Sequence, residues 1–408
     1  MESTSTGSRR GGWWRRLWIA VLIGAGLLTL LVAAIVAAGW TAFGKAPQGE
    51  RRAHMERSPQ WHNGVFANEN ALYNDILGSI FRRAPAEAVT RPTEPVDVIS
   101  GDGSRFATPP QTGLRITWMG HSSTLVEIDG RRVLFDPIFG DRASPLTWLG
   151  PARWYAPPIA LESLPSVDAV VISHDHYDHL NYPTIRAIRD WDTRFIAPLG
   201  VGAHLAYWGV PAERITEVDW WDEVSVADLR IVATPSRHAS GRHVLDQNRT
   251  LWAGYALVGP HHRVFYSGDT GLFPGFRDIA KRLGPFDATM IEIGAYDRAW
   301  PDWHIGPEQA VQAHQMLDGA VLLPVHWGLW SLAKHGWTDP AERVAAAAQA
   351  AGVKLAMPRP GESVEPALVG PLQRWWPELP WQSADDDPII ATRNGDPADR
   401  WQPGSVAQ

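Results

Sequence analysis

Ser173-His174-Asp175-His176-Tyr177-Asp178-His179-Leu180 is the most informative segment of this 408-residue chain. It follows directly on residues 169–172, a short apolar run with the look of a buried strand. Loops at strand ends are where α/β sheets place their ligands. In an extended segment His174 and His176 point to the same side, while Asp178 and His179 come after the chain turns. Neutral imidazole and carboxylate suit zinc and related first-row ions. Four candidate ligands so close together exceed what one tetrahedral ion takes once distant ligands join, so the spacing predicts two ions.

Three later strand-like runs end in the same grammar of strand, then His or Asp, then small or turn residues. Residues 230–233 lead to His238, 263–266 to Asp269, and 321–325 to His326. Further strands are expected at 114–119, 124–128, 132–136, 252–258 and 289–293, with a hairpin signal at Asp129-Gly130. Helical patterns cover 183–190, 276–283, 307–317 and 340–351. Hairpins first and alternating strands and helices later predict a layered α/β fold with mixed sheets.

The HxHxDH cluster followed by single His, Asp and His residues resembles the metallo-β-lactamase fold hydrolases. Gly120-His121-Ser122-Ser123, Phe135-Asp136-Pro137-Ile138-Phe139, Leu149-Gly150-Pro151, Ile291-Glu292-Ile293-Gly294-Ala295-Tyr296 and His326-Trp327-Gly328 resemble the branch of phospholipases D that hydrolyse N-acyl-phosphatidylethanolamine. The resemblance spans residues 113 to 366 and implies a four-layer αββα sandwich. It implies one zinc ion held by His174, His176 and His238, a second held by Asp178, His179 and His326, and Asp269 bridging them. Two ions so held would make water a nucleophile near neutral pH and hold a phosphodiester oxygen. Asp136 is expected to orient a ligand histidine from behind. The resemblance places His304, just before a helix start, at the substrate, where a helix N-terminus favours an anionic phosphate. His335 is a weaker candidate to bind substrate and protonate a leaving group. Arg153 and Trp154 share a Pro/Gly-rich loop and are candidate lipid contacts. Asp178, Asp269 and His304 form the expected catalytic set. His121 reads as structural, and Asp175, between two ligands, has no assigned role.

Residues 17–44 carry no charge and contain an apolar run long enough to span a bilayer, which takes about 20 residues. Trp18 and Trp40 flank the run, roughly 33 Å apart along a helix, as an aromatic belt would. A cleaved signal peptide has an apolar region of only about 7–15 residues, so a single-pass anchor is expected. Arg9, Arg10, Arg15 and Arg16 favour a cytoplasmic N-terminus and an extracytoplasmic domain. Ser8-Arg9-Arg10 resembles a twin-arginine signal, but Gly12 breaks the pattern.

The expected organisation is a basic segment 1–16, a transmembrane helix 17–40, a linker and pre-domain segment 41–110, a catalytic domain 111–370 and a Pro/Asp/Trp-rich tail 371–408. The tail's last 25 residues read as solvated and disordered at the end. The linker holds one amphipathic stretch near residues 70–82. The net charge of −7 argues against nucleic acid as a partner. With no cysteine, thiol chemistry and Cys-ligated metals are excluded. Tryptophan is abundant at 22 residues, many of them near the motifs, which suggests an apolar approach for acyl chains. The expected function is therefore a membrane-anchored dinuclear zinc hydrolase of phospholipids, yielding phosphatidic acid and an N-acylethanolamine. Its partners would be the phospholipid substrate and the bilayer, and the resemblance adds a homodimer. The alternative is a lactonase or other ester or amide hydrolase, since the same site attacks carbonyl carbon. A catalytically dead binding protein would show degraded ligand positions, and all seven are filled.

Overall fold

The computed structural model describes residues 10–81 and 87–401. Ser8, Arg9, Arg82 and the end of the tail, 402–408, lie outside the described residues. The chain divides into two units, one ending at Phe43 and one beginning at Gly44. The first is a helix, Arg10–Gly39, whose segment Trp13–Gly39 is long and apolar enough to cross a membrane, a test that signal sequences also pass. Its apolar side chains are exposed on all faces, and Trp18 and Trp40 are 62% and 63% exposed.

The second unit is built on two sheets. The first contains β1 (Leu114–Trp118), β2 (Thr124–Ile128), β3 (Arg131–Phe135), β4 (Ala169–Val171), β5 (Arg194–Pro198), β6 (Ile215–Val218) and, late in the chain, β13 (Ser363–Val364). Its order is β13-β1-β2-β3-β4-β5-β6. The second contains β7 (Glu223–Val226), β8 (Leu229–Thr234), β9 (Gly254–Val258), β10 (Arg263–Tyr266), β11 (Ala288–Glu292) and β12 (Leu322–Val325), in the order β12-β11-β10-β9-β8-β7. The hairpin half of each sheet is antiparallel, while β3 through β6 and β10 through β12 run parallel.

Side-chain alternation makes the layers. Val126, Val133, Phe135, Val171 and Ile196 face the second sheet and share a core with Ile231, Ala233, Tyr255 and Phe265. Their neighbours Leu125, Leu134, Val170 and Phe195 face outward. There they pack on Ile185 and Ile188 of helix α1 (Tyr182–Ile188) and Leu205 of α2 (Gly202–Tyr207). On the far side, α3 (Gly275–Leu283), α4 (Pro307–Met316) and α5 (Asp339–Ala351) cover the second sheet. The result is the αββα sandwich. Strands β5, β6, β7 and β13 are additions to the sequence reading: each is short, Pro198 closes β5, and charged residues in β6 and β7 hide the period.

The segments flanking the sandwich differ from expectation. Residues 41–110 were expected as a linker and pre-domain segment, and within them Met55, Phe66 and Phe106 are buried. The tail also packs. Arg374 donates both guanidinium arms to Glu342 on α5, Trp376 donates to the same carboxylate at 2.9 Å, and Ala391 and Thr392 are fully buried. The last 25 residues were expected to be solvated, and the burial of Ala391 and Thr392 departs from that.

Both flanking segments meet at one buried ion pair. Asp302 accepts from Arg237 at 3.0 and 3.1 Å, from the Tyr73 amide at 2.8 Å, and from the Thr392 amide and hydroxyl at 2.7 and 2.5 Å. Removing one partner of such a pair strands a buried charge, at about 3–5 kcal/mol. Asp302→Ala should lower the urea-unfolding free energy by about that much, and a loss under about 1 kcal/mol would show the hub to be dispensable.

Candidate metal centre

The site forms where strand C-termini converge. The loop after β4 carries His174, His176, Asp178 and His179; His238 follows β8, Asp269 follows β10 and His326 follows β12. Parallel pairing of β10, β11 and β12 brings Asp269 and His326 to the same edge. Gly268, at φ +56, lets the Asp269 turn close on the first sheet: a Cβ there would stand 2.8 Å from Ser173 Cβ and 2.9 Å from the Ala253 carbonyl.

The ligand atoms fall into two main groups. In the first, His176 Nδ1 lies 2.8 Å from His174 Nε2 and 3.3 Å from His238 Nε2. Asp269 Oδ2 is 3.7 Å from both His174 Nε2 and His238 Nε2. In the second, Asp178 Oδ2 lies 3.4 Å from His326 Nε2 and 3.6 Å from His179 Nε2. Asp269 reaches this group too, at 3.1 Å from His179 Nε2 and 3.1 Å from His326 Nε2. All seven residues singled out in the sequence thus come together, with Asp269 between the groups. His179 Nε2, Asp269 Oδ1 and His326 Nε2 are buried and have no hydrogen-bond partner among the described residues. Inward-facing imidazole and carboxylate atoms, held from behind, fit divalent cations of the zinc type.

The backing contacts fix which atom faces inward. Asp136, fully buried, accepts from His179 Nδ1 at 2.7 Å, the Ser173 amide at 2.7 Å, the Ser173 hydroxyl at 2.5 Å and the Tyr266 phenol at 2.5 Å. Burial and the Asp136 charge push the Tyr266 phenol well up, so it stays a donor. His238 Nδ1 donates to the Trp303 carbonyl at 2.8 Å. His121 Nε2 lies 3.0 Å from Asp178 Oδ2; burial, then the neighbouring His326, pushes its imidazole down to about 3. Neutral His121 therefore donates to Asp178, which gives this structural histidine a contact with a ligand. Asp136, His121 and His326 sit at φ +36, +53 and +64. Left-handed backbone at non-glycine residues costs of order 1–3 kcal/mol each and clusters at functional sites.

Glu292 was quoted in a motif but given no role. Its Oε2 lies 2.8 Å from His304 Nδ1 and 3.6 Å from His326 Nδ1, and its other oxygen accepts from the Thr270 amide. Burial pushes this carboxyl up. A carboxylate at the C-terminal residue of an inner strand was the available signal. His304 itself stands 3.8 Å from Asp269 Oδ2, beside the two groups.

Two other candidates spend their polar atoms on the protein's own backbone, although His335 lines the cleft beside His326. His335 accepts from the Ala295 amide through Nε2 at 3.1 Å and donates from Nδ1 to the Gly336 carbonyl at 2.8 Å. Its ring stacks on Tyr296, and burial pushes it down to about 4. Both nitrogens are committed to backbone, so it cannot serve as the acid for a leaving group. Arg153 spends its guanidinium on the Tyr155 and Gly140 carbonyls of its own loop at 2.7 and 3.4 Å, which makes it a loop brace. The tryptophans divide. Trp327 is buried, stacked on Trp118 and packed against Trp375 and the edge of Trp376, which pins the His326 turn. Trp154, Trp330 and Trp337 line a narrow cleft with His121 and His326.

Burial works against a charged His326, but Asp269 and Asp178 outweigh it and lift the imidazole to about 10. A cation must displace that proton. Zinc uptake near pH 7 should therefore release protons, and the affinity should weaken as the pH falls toward about 6. Titration calorimetry in buffers of different ionisation enthalpy reads the release directly. A pH-independent affinity would contradict the arrangement.

Comparison with known proteins agrees with this geometry. The β-lactamase superfamily domain matches residues 131–327. An uncharacterized protein of Mycobacterium tuberculosis is 45% identical over 340 residues, 80% of this chain and 89% of that protein. The N-acyl-phosphatidylethanolamine-hydrolyzing phospholipase D 1 of Caenorhabditis elegans is 35% identical over 234 residues, 54% of this chain and 66% of its own length. Among solved structures, an isothiocyanate hydrolase from Delia radicum gut bacteria superposes with a TM-score of 0.51 at 19% identity, over 62% of this chain and 98% of that one, a likeness of fold alone.

Proposed function

We propose that this chain, a member of the metallo-β-lactamase superfamily of metal-dependent hydrolases, is a membrane-anchored dinuclear zinc enzyme that cleaves phosphodiester lipids. The reaction is of the phospholipase D type, releasing phosphatidic acid and an N-acylethanolamine-like alcohol. The observation that carries this reading is the position of the two ligand groups, joined at Asp269, beside a cleft lined by Trp154, Trp330 and Trp337. A polar centre with an indole-lined approach suits a substrate whose scissile phosphate sits beside acyl chains. The named nematode relative supports the lipid class.

Zinc held by His174, His176 and His238, and by Asp178, His179 and His326, would supply Lewis acidity toward a phosphoryl oxygen and ionise water near neutral pH. The protein's own residues do the rest. Asp269 holds both groups at one spacing. His121 and Asp136 keep Asp178 and His179 aimed inward. Glu292 takes His304 Nδ1, which leaves Nε2 for a phosphate oxygen at the start of α4. The N-terminal helix would tether the domain to the bilayer, with Arg15 and Arg16 favouring an extracytoplasmic domain.

The test is product analysis on liposomes containing N-acylated or plain phosphatidylethanolamine. The expected result is phosphatidic acid and an N-acylethanolamine from the first, and far slower release from the second. No phosphatidic acid from either, together with turnover of an acyl lactone, would replace this reading with the lactonase one. Trp154→Ala and Trp330→Ala should depress lipid cleavage at least about tenfold more than cleavage of bis(p-nitrophenyl) phosphate. Equal losses on both substrates would refute the apolar approach.

A further inference from the structure

Asp175 stands between two candidate ligands, and its buried carboxylate is held by residues outside the two ligand groups. Its Oδ1 accepts from the Gly241 amide at 2.7 Å, in the loop that carries His238. Its Oδ2 accepts from the Thr250 hydroxyl at 2.8 Å and lies 3.3 Å from His204 Nε2. Arg242, one residue beyond Gly241, donates to the Asp175 and Leu180 carbonyls at 2.5 and 3.0 Å. Asp175 therefore links the two loops that supply the first group of ligands.

His204 is itself held from an unexpected direction. It lies on α2, and its Nδ1 accepts from the Lys45 amide at 3.0 Å. That bond places the ring proton on Nε2, the atom that faces Asp175. Gly44, at φ +83, lies so close that a Cβ there would stand 2.0 Å from His204 Nδ1. A second latch holds the same helix. Arg51 donates to Glu217, whose other oxygen accepts from the Gly200 and Gly202 amides at 2.6 and 3.1 Å, at the start of α2. Met55, fully buried, closes the contact against Gly200.

We propose that the segment from Gly44 to Met55 is a built-in buttress of the metal centre, acting through His204 and Asp175, and that His204 is a positioning residue for the His174, His176 and His238 ligands. The first residues of the second unit thus set the tautomer of a histidine that steadies the ligand loops. The inference rests on the metal reading of the site and adds a part that lies outside the matched family domain. It also gives Asp175 a role: one oxygen takes the Gly241 amide, the other takes the Thr250 hydroxyl, and that second oxygen lies 3.3 Å from His204 Nε2, close enough for contact though not aligned as a hydrogen bond.

The test uses the full chain in detergent and reads cobalt(II) binding, by chelator competition and by the visible spectrum of the ion. His204→Phe and Gly44→Ala should weaken binding by about tenfold to a hundredfold and alter the spectrum. His204→Gln, which keeps an N–H near the Nε2 position, should recover much of the loss. Lys45→Ala, which keeps the amide, should bind as the unaltered chain does. Should His204→Phe fail to fold, Gly44→Ala carries the comparison. Unchanged affinity and spectrum in folded His204→Phe or Gly44→Ala would overturn the buttress. If the unaltered chain binds no cobalt, the metal reading falls and takes this inference with it.

Discussion

The Asp136 carboxylate is the contact on which the rest of the structure turns. It is fully buried, and a lone carboxylate in such a place would be prohibitively costly. Four donors offset that cost, and each comes from a part of the fold that must be in position. The Ser173 amide and hydroxyl mark the end of β4, Tyr266 marks the end of β10 in the other sheet, and His179 is a candidate ligand. Sheet pairing, ligand aim and the left-handed turn at Asp136 therefore succeed or fail together. A half-satisfied network of this kind is worse than an apolar core, which makes the site a test of correct folding.

This dependence explains what could be read in the chain. Metal ligands advertise themselves because few residue types serve and because each must end a strand; the seven candidates follow from that grammar and come together in the structure. Asp136 was legible for the same reason, as an apolar strand running into Asp-Pro. Glu292 obeys the grammar too, yet its neighbours Ile291 and Ile293 read simply as strand. What it touches, His304 and His326, is set by the pairing of β11 with β12 and by the loop before α4. Position in the chain misled in the opposite way at His335, which follows a ligand closely but turns its nitrogens to backbone. Arg153 likewise has the right charge in the right loop and spends it on that loop's carbonyls.

Composition was the weaker guide. Proline, aspartate and tryptophan dominate after residue 370, and on that composition the last 25 residues read as solvated chain. The segment is indeed irregular, but its indoles and Thr392 find partners on the sandwich that no local pattern could announce. Tryptophan abundance was taken as a mark of lipid approach. Part of it is instead mechanical: Trp118, Trp375 and Trp376 enclose Trp327, the residue after a ligand held in left-handed backbone. Large rigid side chains with few torsions are an economical means of holding a strained turn.

These contacts place the site's stability partly outside its motifs. His238 is a candidate ligand, and the residue before it, Arg237, is gripped by Asp302, which in turn binds Tyr73 from the leading segment and Thr392 from the trailing one. On the other side of the centre, Asp175 and His204 receive the leading segment again at Lys45. A sandwich core can supply strand ends, but strand ends alone leave their loops free to move by more than the tolerance of a metal site, about half an ångström. The flanking chain removes that freedom by tying loops that the sheets do not pair. The residues least recognisable as part of the fold are thus the ones that hold its most recognisable motif in register.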